Sequence, residues 1–198
     1  MQERVSEIIK EEIEALKNIP LLNNFEKAID IIYNKVHQEG GKIVTTGMGK
    51  AGQIALNIAT TFSSTGSPAV FLHPSDAQHG DLGVLQKNDV LILISNSGKT
   101  REISELLFLS KKFYKNIPTI LITGNPNPEK TFKTDVTLYT GNPKEVCPLG
   151  LSPTTSTTVM TVIGDVLIVL MMEKINFTKE LYALRHHGGY LGEKSKRK

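Results

Sequence analysis

The sequence predicts an α/β protein, a three-layer αβα sandwich around a five-stranded parallel sheet with helices added at the N-terminus. Two observations predict it. Five short β-rich runs, at residues 42–46, 69–72, 89–94, 118–123 and 136–140, are separated by stretches of helical spacing. Parallel neighbours require crossover connections of that kind, which cover both faces of the sheet. The third run, Val90-Leu91-Ile92-Leu93-Ile94, is continuously apolar, as a strand buried on both faces must be.

The elements follow in order. Val5, Ile8, Ile9, Ile13 and Leu16 recur at helical spacing, and Phe25, Ala28, Ile29, Ile32 and Val36 repeat the pattern beyond Pro20, so residues 1–40 read as an extension of two amphipathic helices. The main domain spans 41–192. Its helices are expected over 50–64, 101–114, a short piece near Glu129, 154–175, and a last segment opened by Thr178 and running to Arg185. A loop of about fifteen residues after the second strand is long enough to favour a functional role over mere connection. Ligands in such sheets bind beyond the carboxyl ends of the strands, near the point where strand order reverses. The loops after the first, second, third and fifth strands therefore share one edge, and they carry Lys50, His79, the turn at 95–100 and Glu145.

Lys and Arg exceed Asp and Glu by 23 to 20, but residues 193–198 hold four cations and one anion, leaving 19 of each sign in the body. A basic balance that comes wholly from a tail does not argue for a nucleic-acid-binding face; a solvated, frayed terminus is expected. Cys147 is the single cysteine, so no intrachain disulfide forms, and it reads as a small buried residue rather than a nucleophile. The polar, acidic N-terminus is no signal peptide. The longest apolar run, 166–172, is far short of the roughly 20 residues that a membrane span needs. No membrane association and a cytoplasmic location are the expectations.

The most informative junction is Ser95-Asn96-Ser97-Gly98-Lys99-Thr100, which joins the third strand to a helix. A helix N-terminus offers unpaired N–H groups and the positive end of the dipole, and Ser95, Ser97 and Thr100 add neutral donors. This is a phosphate seat. Gly98-Lys99-Thr100 imitates the end of a Walker A loop, but Leu93 stands where that motif needs glycine. Lys99 is then a replaceable surface residue. Gly47-Met48-Gly49-Lys50-Ala51-Gly52 fits G-x-G-x-x-G, but the second strand ends Phe71-Leu72-His73-Pro74, without the acidic residue that would hold a dinucleotide ribose. Gly47 and Gly49 are expected to let the backbone approach a smaller ligand while Lys50 projects into the pocket.

Together with these turns, His73-Pro74, His79-Gly80-Asp81-Leu82-Gly83, Lys144-Glu145-Val146-Cys147-Pro148-Leu149-Gly150-Leu151-Ser152-Pro153 and the late Leu184-Arg185-His186-His187-Gly188-Gly189-Tyr190 resemble the sugar-isomerase (SIS) domain family, and within it the arabinose 5-phosphate isomerases. The resemblance covers residues 41–192 and implies a flavodoxin-like strand order. It implies interconversion of D-ribulose 5-phosphate and D-arabinose 5-phosphate, the entry to 3-deoxy-D-manno-octulosonate (Kdo) for lipopolysaccharide or capsule. The family's active-site positions fall on Lys50, His79, Glu102, Glu145 and His186. His187 stands where a proline is usual, and the sequence stops near Lys198 without the tandem CBS domains of many relatives, so any regulation is expected to act on the isomerase domain.

Moving a proton between C1 and C2 through an enediolate needs a base, a proton donor at the oxygens and a fixed phosphate; neither cofactor nor metal is required. Glutamate suits the base if burial raises its pKa, histidine suits proton transfer to oxygen or ring opening, and lysine suits the developing oxyanion. Glu102, in the first turn of a helix, also satisfies the helix dipole. Glu145 lies in a loop beside Pro143 and Pro148 where no helix explains it, and is preferred as the base. Asn96 belongs to the phosphate turn. Thr154, Thr155 and Ser156, with Thr157 and Thr158, read either as a second polar wall of the pocket or as capping and packing groups. His73 is expected to be structural and His37 a solvated helix residue. Two histidines and two glutamates on one rim would bind a divalent ion only adventitiously, since no short metal-ligand spacing occurs. The apolar N-terminal helices and the helix at 154–175 offer more apolar surface than one sheet uses. A homodimer or homotetramer is expected, and His186, past the last helix, suits an active site shared between subunits. Isomerisation of another sugar phosphate, such as sedoheptulose 7-phosphate, or non-catalytic sensing of a sugar phosphate are the alternatives.

Overall fold

The computed structural model describes residues 1–22, 24–188, 190, 192 and 194. Most of the basic tail and residues 189 and 191 of the late motif lie outside them. The sheet has five parallel strands in the order β2-β1-β3-β4-β5: β1 (Ile43–Gly47), β2 (Ala69–Phe71), β3 (Val90–Ile94), β4 (Thr119–Thr123) and β5 (Val136–Tyr139). β1, β3 and β4 are buried along their whole length, β2 is half-buried at one edge, and β5 alternates at the other. These positions explain the sequence pattern. Central parallel strands are covered twice and read as continuous apolar runs, whereas edge strands do not.

The pleat of β3 separates the two faces. Ile92 and Ile94 join Ile43, Ile58, Phe62, Ile120, Val159, Ile163 and Leu167 in one core. Leu91 and Leu93 join Val44, Ile103, Leu106, Leu121 and Phe132 in the other. The first core lies under α3 (Gly49–Ser64), α6 (Thr155–Lys174) and α2 (Phe25–Ile32), with α1 (Gln2–Lys17) packed against α6; the second lies under α5 (Arg101–Phe113). α3 and α6 cross closely because Gly164 has no side chain: a Cβ there would sit 2.5 Å from Cδ1 and Cγ1 of Ile58.

The element boundaries expected from periodicity hold to within a residue or two for the strands and the long helices. The long loop after β2 is itself structured, with a short helix α4 (Pro74–Ala77) and a single turn at Asp81–Val84. After α2 the helix widens at Tyr33–Gln38 into i to i+5 bonding, seen in Glu39 N–H donating to Asn34 C=O. His37 lies in that turn. Far from being a solvated helix residue, it is half-buried, stacked at 6.0 Å on Tyr33, with Nε2 3.0 Å from Ser67 Oγ. Burial lowers its pKa. α7 (Lys179–Ala183) is capped by Thr178, whose side chain accepts from Leu181 N–H.

One expectation about apolar surface changes. By length and composition α6 is apolar enough to cross a membrane, since interspersed Thr, Ser and Gly do not interrupt it as they interrupt a contiguous run; half of its apolar window is buried against the rest of the protein. The stripe on α1 agrees with the expectation of more apolar surface than one sheet uses. Ala15 and Leu16 pack inward, while Val5, Ile9 and Ile13 stay 51%, 53% and 46% exposed.

Candidate active site

Strand order reverses between β1 and β3, and a cavity of about 490 Å³ opens beyond their carboxyl ends. Three helices begin around it. α3 starts beyond Met48 and α5 beyond Thr100, and neither has a side-chain cap, so their first-turn N–H groups are available to a ligand. α6 starts beyond Thr154. Dipoles of all three bias the site towards negative charge.

Of the residues expected at the site, the cavity brings together Lys50, Ser95, Asn96, Ser97, Thr100 and Ser156. The turn is pre-organised: Ser95 Oγ and Thr100 Oγ1 are 2.8 Å apart, Lys99 N–H donates to Ser97 Oγ at 3.2 Å, and Gly98 N–H donates to Ser95 C=O at 3.1 Å. Gly98 has φ +61°, and a Cβ there would sit 2.7 Å from Asn125 Cβ. Asn96 Oδ1 is buried with no hydrogen-bond partner. Lys99 is exposed, as expected of a surface lysine, and it also lines the same cavity, where it adds a second cation.

Gly47 and Gly49 serve the chain's own backbone. A Cβ on Gly47 would meet Ala51 C=O at 2.7 Å, and one on Gly52 would meet Gly47 C=O at 2.6 Å, so the G-x-G-x-x-G pattern lets α3 start tightly against β1. Gly49 adopts φ +56° at the turn. Neither lines the cavity.

Glu145 is explained by a helix after all. Its Oε2 accepts from Thr154 N–H at 2.7 Å, Thr154 Oγ1–H at 2.9 Å and Ser156 N–H at 3.2 Å, so it caps α6 from a distant loop. Desolvation pushes its pKa up, but hydrogen bonds from Ser156 and Thr154 outweigh it and hold the carboxyl below its ordinary value. The raised pKa anticipated for a glutamate base is therefore not its condition. It lines a depression of about 460 Å³ that shares Asn96, Asn142 and Pro153 with the main cavity.

The hydroxyl cluster divides between the two roles considered for it. Thr154 bonds Glu145; Thr155 is buried and donates to Glu12 Oε1 at 2.9 Å; Ser156 and Thr157 line the cavity; Thr158 bonds back to Thr154 C=O at 3.3 Å. Glu102 lies in the first turn of α5 but does not line the cavity. His79 is exposed in the loop after α4 and also lies outside the lining. His186 stacks on Tyr182 at 3.7 Å, with Nδ1 3.0 Å from Tyr182 C=O, away from the cavity of its own chain.

Cys147 is not buried. Its Sγ accepts from Ser152 N–H at 3.1 Å and Leu151 N–H at 3.2 Å, and the bond from Ser152 leads the lowering of its thiol pKa. Among the described residues, no three His, Cys, Asp or Glu gather where they would hold a metal ion.

Asn125, Pro126 and Asn142 also line the cavity and are not singled out by the sequence reading. Gly124-Asn125-Pro126 follows β4, the one strand left out of that reading of the edge, although every parallel strand ends there. Asn142 stands in Gly141-Asn142-Pro143 with φ +51°, a turn whose composition is a legible signal.

The SIS-domain profile matches residues 35–170. The arabinose 5-phosphate isomerase KdsD of Francisella tularensis is 46% identical over 184 residues, 93% of this chain and 55% of that protein; the chain spans about half the length of the curated relatives it matches. A Bacteroides fragilis structure, to which a phosphosugar-isomerase role in capsule formation is ascribed, superposes with a TM-score of 0.93 at 58% identity over 96% of this chain and 99% of that one. A protein of E. coli CFT073, solved in complex with arabinose 5-phosphate, superposes with a TM-score of 0.84 at 35% identity over 92% and 95% of the two chains. By profile, sequence and superposition alike, this chain belongs to the SIS-domain family.

Proposed function

We propose that the protein is an aldose-ketose isomerase that interconverts D-arabinose 5-phosphate and D-ribulose 5-phosphate. One observation carries the reading: two helix N-termini without side-chain caps and two lysines, Lys50 and Lys99, meet at one cavity, in a chain 35% identical over nearly its whole length to a protein solved with arabinose 5-phosphate. The phosphate takes the 95–100 turn and the opening N–H groups of α5. Its binding energy then holds C1 and C2 in register with the reacting groups.

A carboxylate removes the C2 proton of the open-chain aldose, negative charge develops on the enediolate oxygens, a proton passes from O2 to O1, and delivery to C1 of a proton that has exchanged with solvent on the carboxyl group gives the ketose. Lys50 stabilises that charge. Glu145 is favoured as the base over Glu102 because it lines the depression that joins the cavity; its Oε2 is committed to α6, which leaves Oε1 for the proton. The lowered pKa keeps it ionised at neutral pH, the form that a base needs. Asn96 Oδ1, an unpaired buried acceptor in the cavity wall, suits a sugar hydroxyl.

His79 and His186 complete the site from a second copy of the chain. The exposed Val5, Ile9 and Ile13 stripe on α1 and the half-exposed Val169 on α6 supply apolar surface for such an assembly. Residues 41–192 form the isomerase domain and 1–40 its helical extension. Supply of Kdo to lipopolysaccharide or capsule is the pathway this activity suits.

Incubation with arabinose 5-phosphate in deuterium oxide tests the reading. Ribulose 5-phosphate carrying solvent deuterium is the expected product. Binding with neither isomerisation nor exchange would make the protein a sensor, and faster turnover of sedoheptulose 7-phosphate would reassign the substrate.

A further inference from the structure

The loop at 144–153 carries Glu145, and α1, which precedes the matched SIS-domain region, holds that loop at a single residue. Val146 N–H donates to Thr155 Oγ1 at 3.2 Å, and Thr155 Oγ1–H donates onward to Glu12 Oε1 at 2.9 Å. On its other side, Val146 C=O accepts from Arg4 Nη2 at 3.5 Å. Thr155 is 1% exposed, so water does not compete for its hydroxyl.

The direction of this relay matters. A threonine hydroxyl has one proton and two lone pairs. A carboxylate at Glu12 takes the proton and leaves a lone pair facing Val146 N–H; without that acceptor the hydroxyl is free to rotate and turn its proton elsewhere. Glu12 Oε2 is itself buried with no hydrogen-bond partner, so the carboxylate is held where it loses solvation. A buried polar group left half-satisfied is costly and calls for an explanation. Retaining it here is accounted for if its other oxygen is needed.

We propose that Glu12 is a positioning residue for Glu145, acting through Thr155 to hold the Val146 peptide and so to aim the neighbouring carboxylate. Glu12 touches no substrate. The inference rests on the isomerase reading for its catalytic consequence but not for its structural one, and the two are measured separately.

Glu12→Ala, Glu12→Gln and Thr155→Val are compared with the unaltered full chain. Amide hydrogen exchange reads the loop without reference to any substrate. In Glu12→Ala the Val146 amide exchanges about tenfold faster, while Leu93 in the central strand is unchanged. Glu12→Gln keeps an acceptor oxygen and holds Val146 exchange within about twofold of the unaltered chain. On arabinose 5-phosphate, Glu12→Ala lowers kcat about tenfold or more with KM within about twofold, the pattern of a misaimed group rather than a lost binding contact. Combining Glu12→Ala with Thr155→Val costs no more than either alone, because both break one relay.

Unchanged Val146 exchange in Glu12→Ala would overturn the proposal, as would additive losses in the double variant. If Glu12→Ala does not fold, Thr155→Val against Thr155→Ser decides the same question, the serine restoring what the valine removes; equal behaviour of the two overturns it. Absence of isomerase activity in the unaltered chain would sink the proposed function and leave the exchange result to decide the role of Glu12 by itself.

Discussion

Glu145 and Thr154, nine residues apart, are joined twice: one carboxylate oxygen accepts both the backbone N–H and the side-chain hydroxyl of the threonine that opens α6. The same carboxylate is thus a helix cap and the favoured base, which ties the chemistry of the site to the stability of its longest helix.

That double duty has a pH signature. Hydrogen bonds from Ser156 and Thr154 overcome desolvation and depress the folded-state pKa of Glu145, so the folded protein binds fewer protons than the unfolded chain in the carboxylate range. Its stabilisation is complete above the ordinary glutamate pKa of about 4.3 and is lost as pH falls through the lowered folded value. Glu145→Gln is expected to be less stable than the unaltered protein by about 1 kcal/mol at neutral pH, the scale of a helix cap. Urea unfolding at neutral pH and under acid checks it. A gap that persists once both carboxyl forms are protonated would mean that charge is not the cause.

The two glutamates separate kinetically. Glu145→Gln is expected to lower kcat by about 100-fold or more and Glu102→Gln by less, as removal of the base costs more than loss of a helix-dipole partner. Single-turnover rates on arabinose 5-phosphate decide between them. If either change leaves turnover within a few-fold, that residue is not the base.

The two lysines are expected to fail differently. Lys50→Met removes charge stabilisation that grows in the transition state and lowers kcat by about 100-fold, whereas Lys99→Met, within the phosphate turn, mainly raises KM. Equal effects on kcat from both would show that the cavity does not divide into a reactive end and a phosphate end.

Gly164 tests the packing of the two helices that flank the site. An added methyl meets Ile58 at 2.5 Å, and Gly164→Ala is expected to destabilise the fold by about 1–3 kcal/mol. Thermal unfolding measures it, and shortening Ile58 to Val in the same chain should return part of the loss.

Assembly is testable through α1. Ile9→Glu with Ile13→Glu places charges on the exposed stripe, and sedimentation is expected to move from an oligomer to a monomer with lost activity. Mixing Lys50→Met with His186→Ala subunits should then restore part of the activity, because one site of a mixed pair takes an unaltered lysine from one copy and unaltered histidines from the other. No recovery after confirmed subunit exchange would count against a shared site.

Much of the site is legible in the sequence because it depends on local order. A buried strand running into Ser95-Asn96-Ser97-Gly98 and then into Arg101 and Glu102 specifies a strand, a turn and a helix start whatever surrounds them, and the alternating sides of Leu91 to Ile94 assign residues to the two faces. The glycine pattern at Gly47 to Gly52 is legible as a tight turn but not in its purpose, since the close approach it permits is to the chain's own α3.

What escapes the sequence are contacts between distant segments. Glu145 shows no helix of its own because the helix that it caps begins nine residues later, and Glu12 gives no signal because its partner, Thr155, lies 143 positions away. The sequence alone determined which segments become strands and helices, and through them where the phosphate turn lies, because those depend on side-chain periodicity and backbone preferences within a few residues. Only the tertiary structure decided what each polar group does, because a hydroxyl or carboxylate acquires its role from the partner that packing brings within about 3 Å.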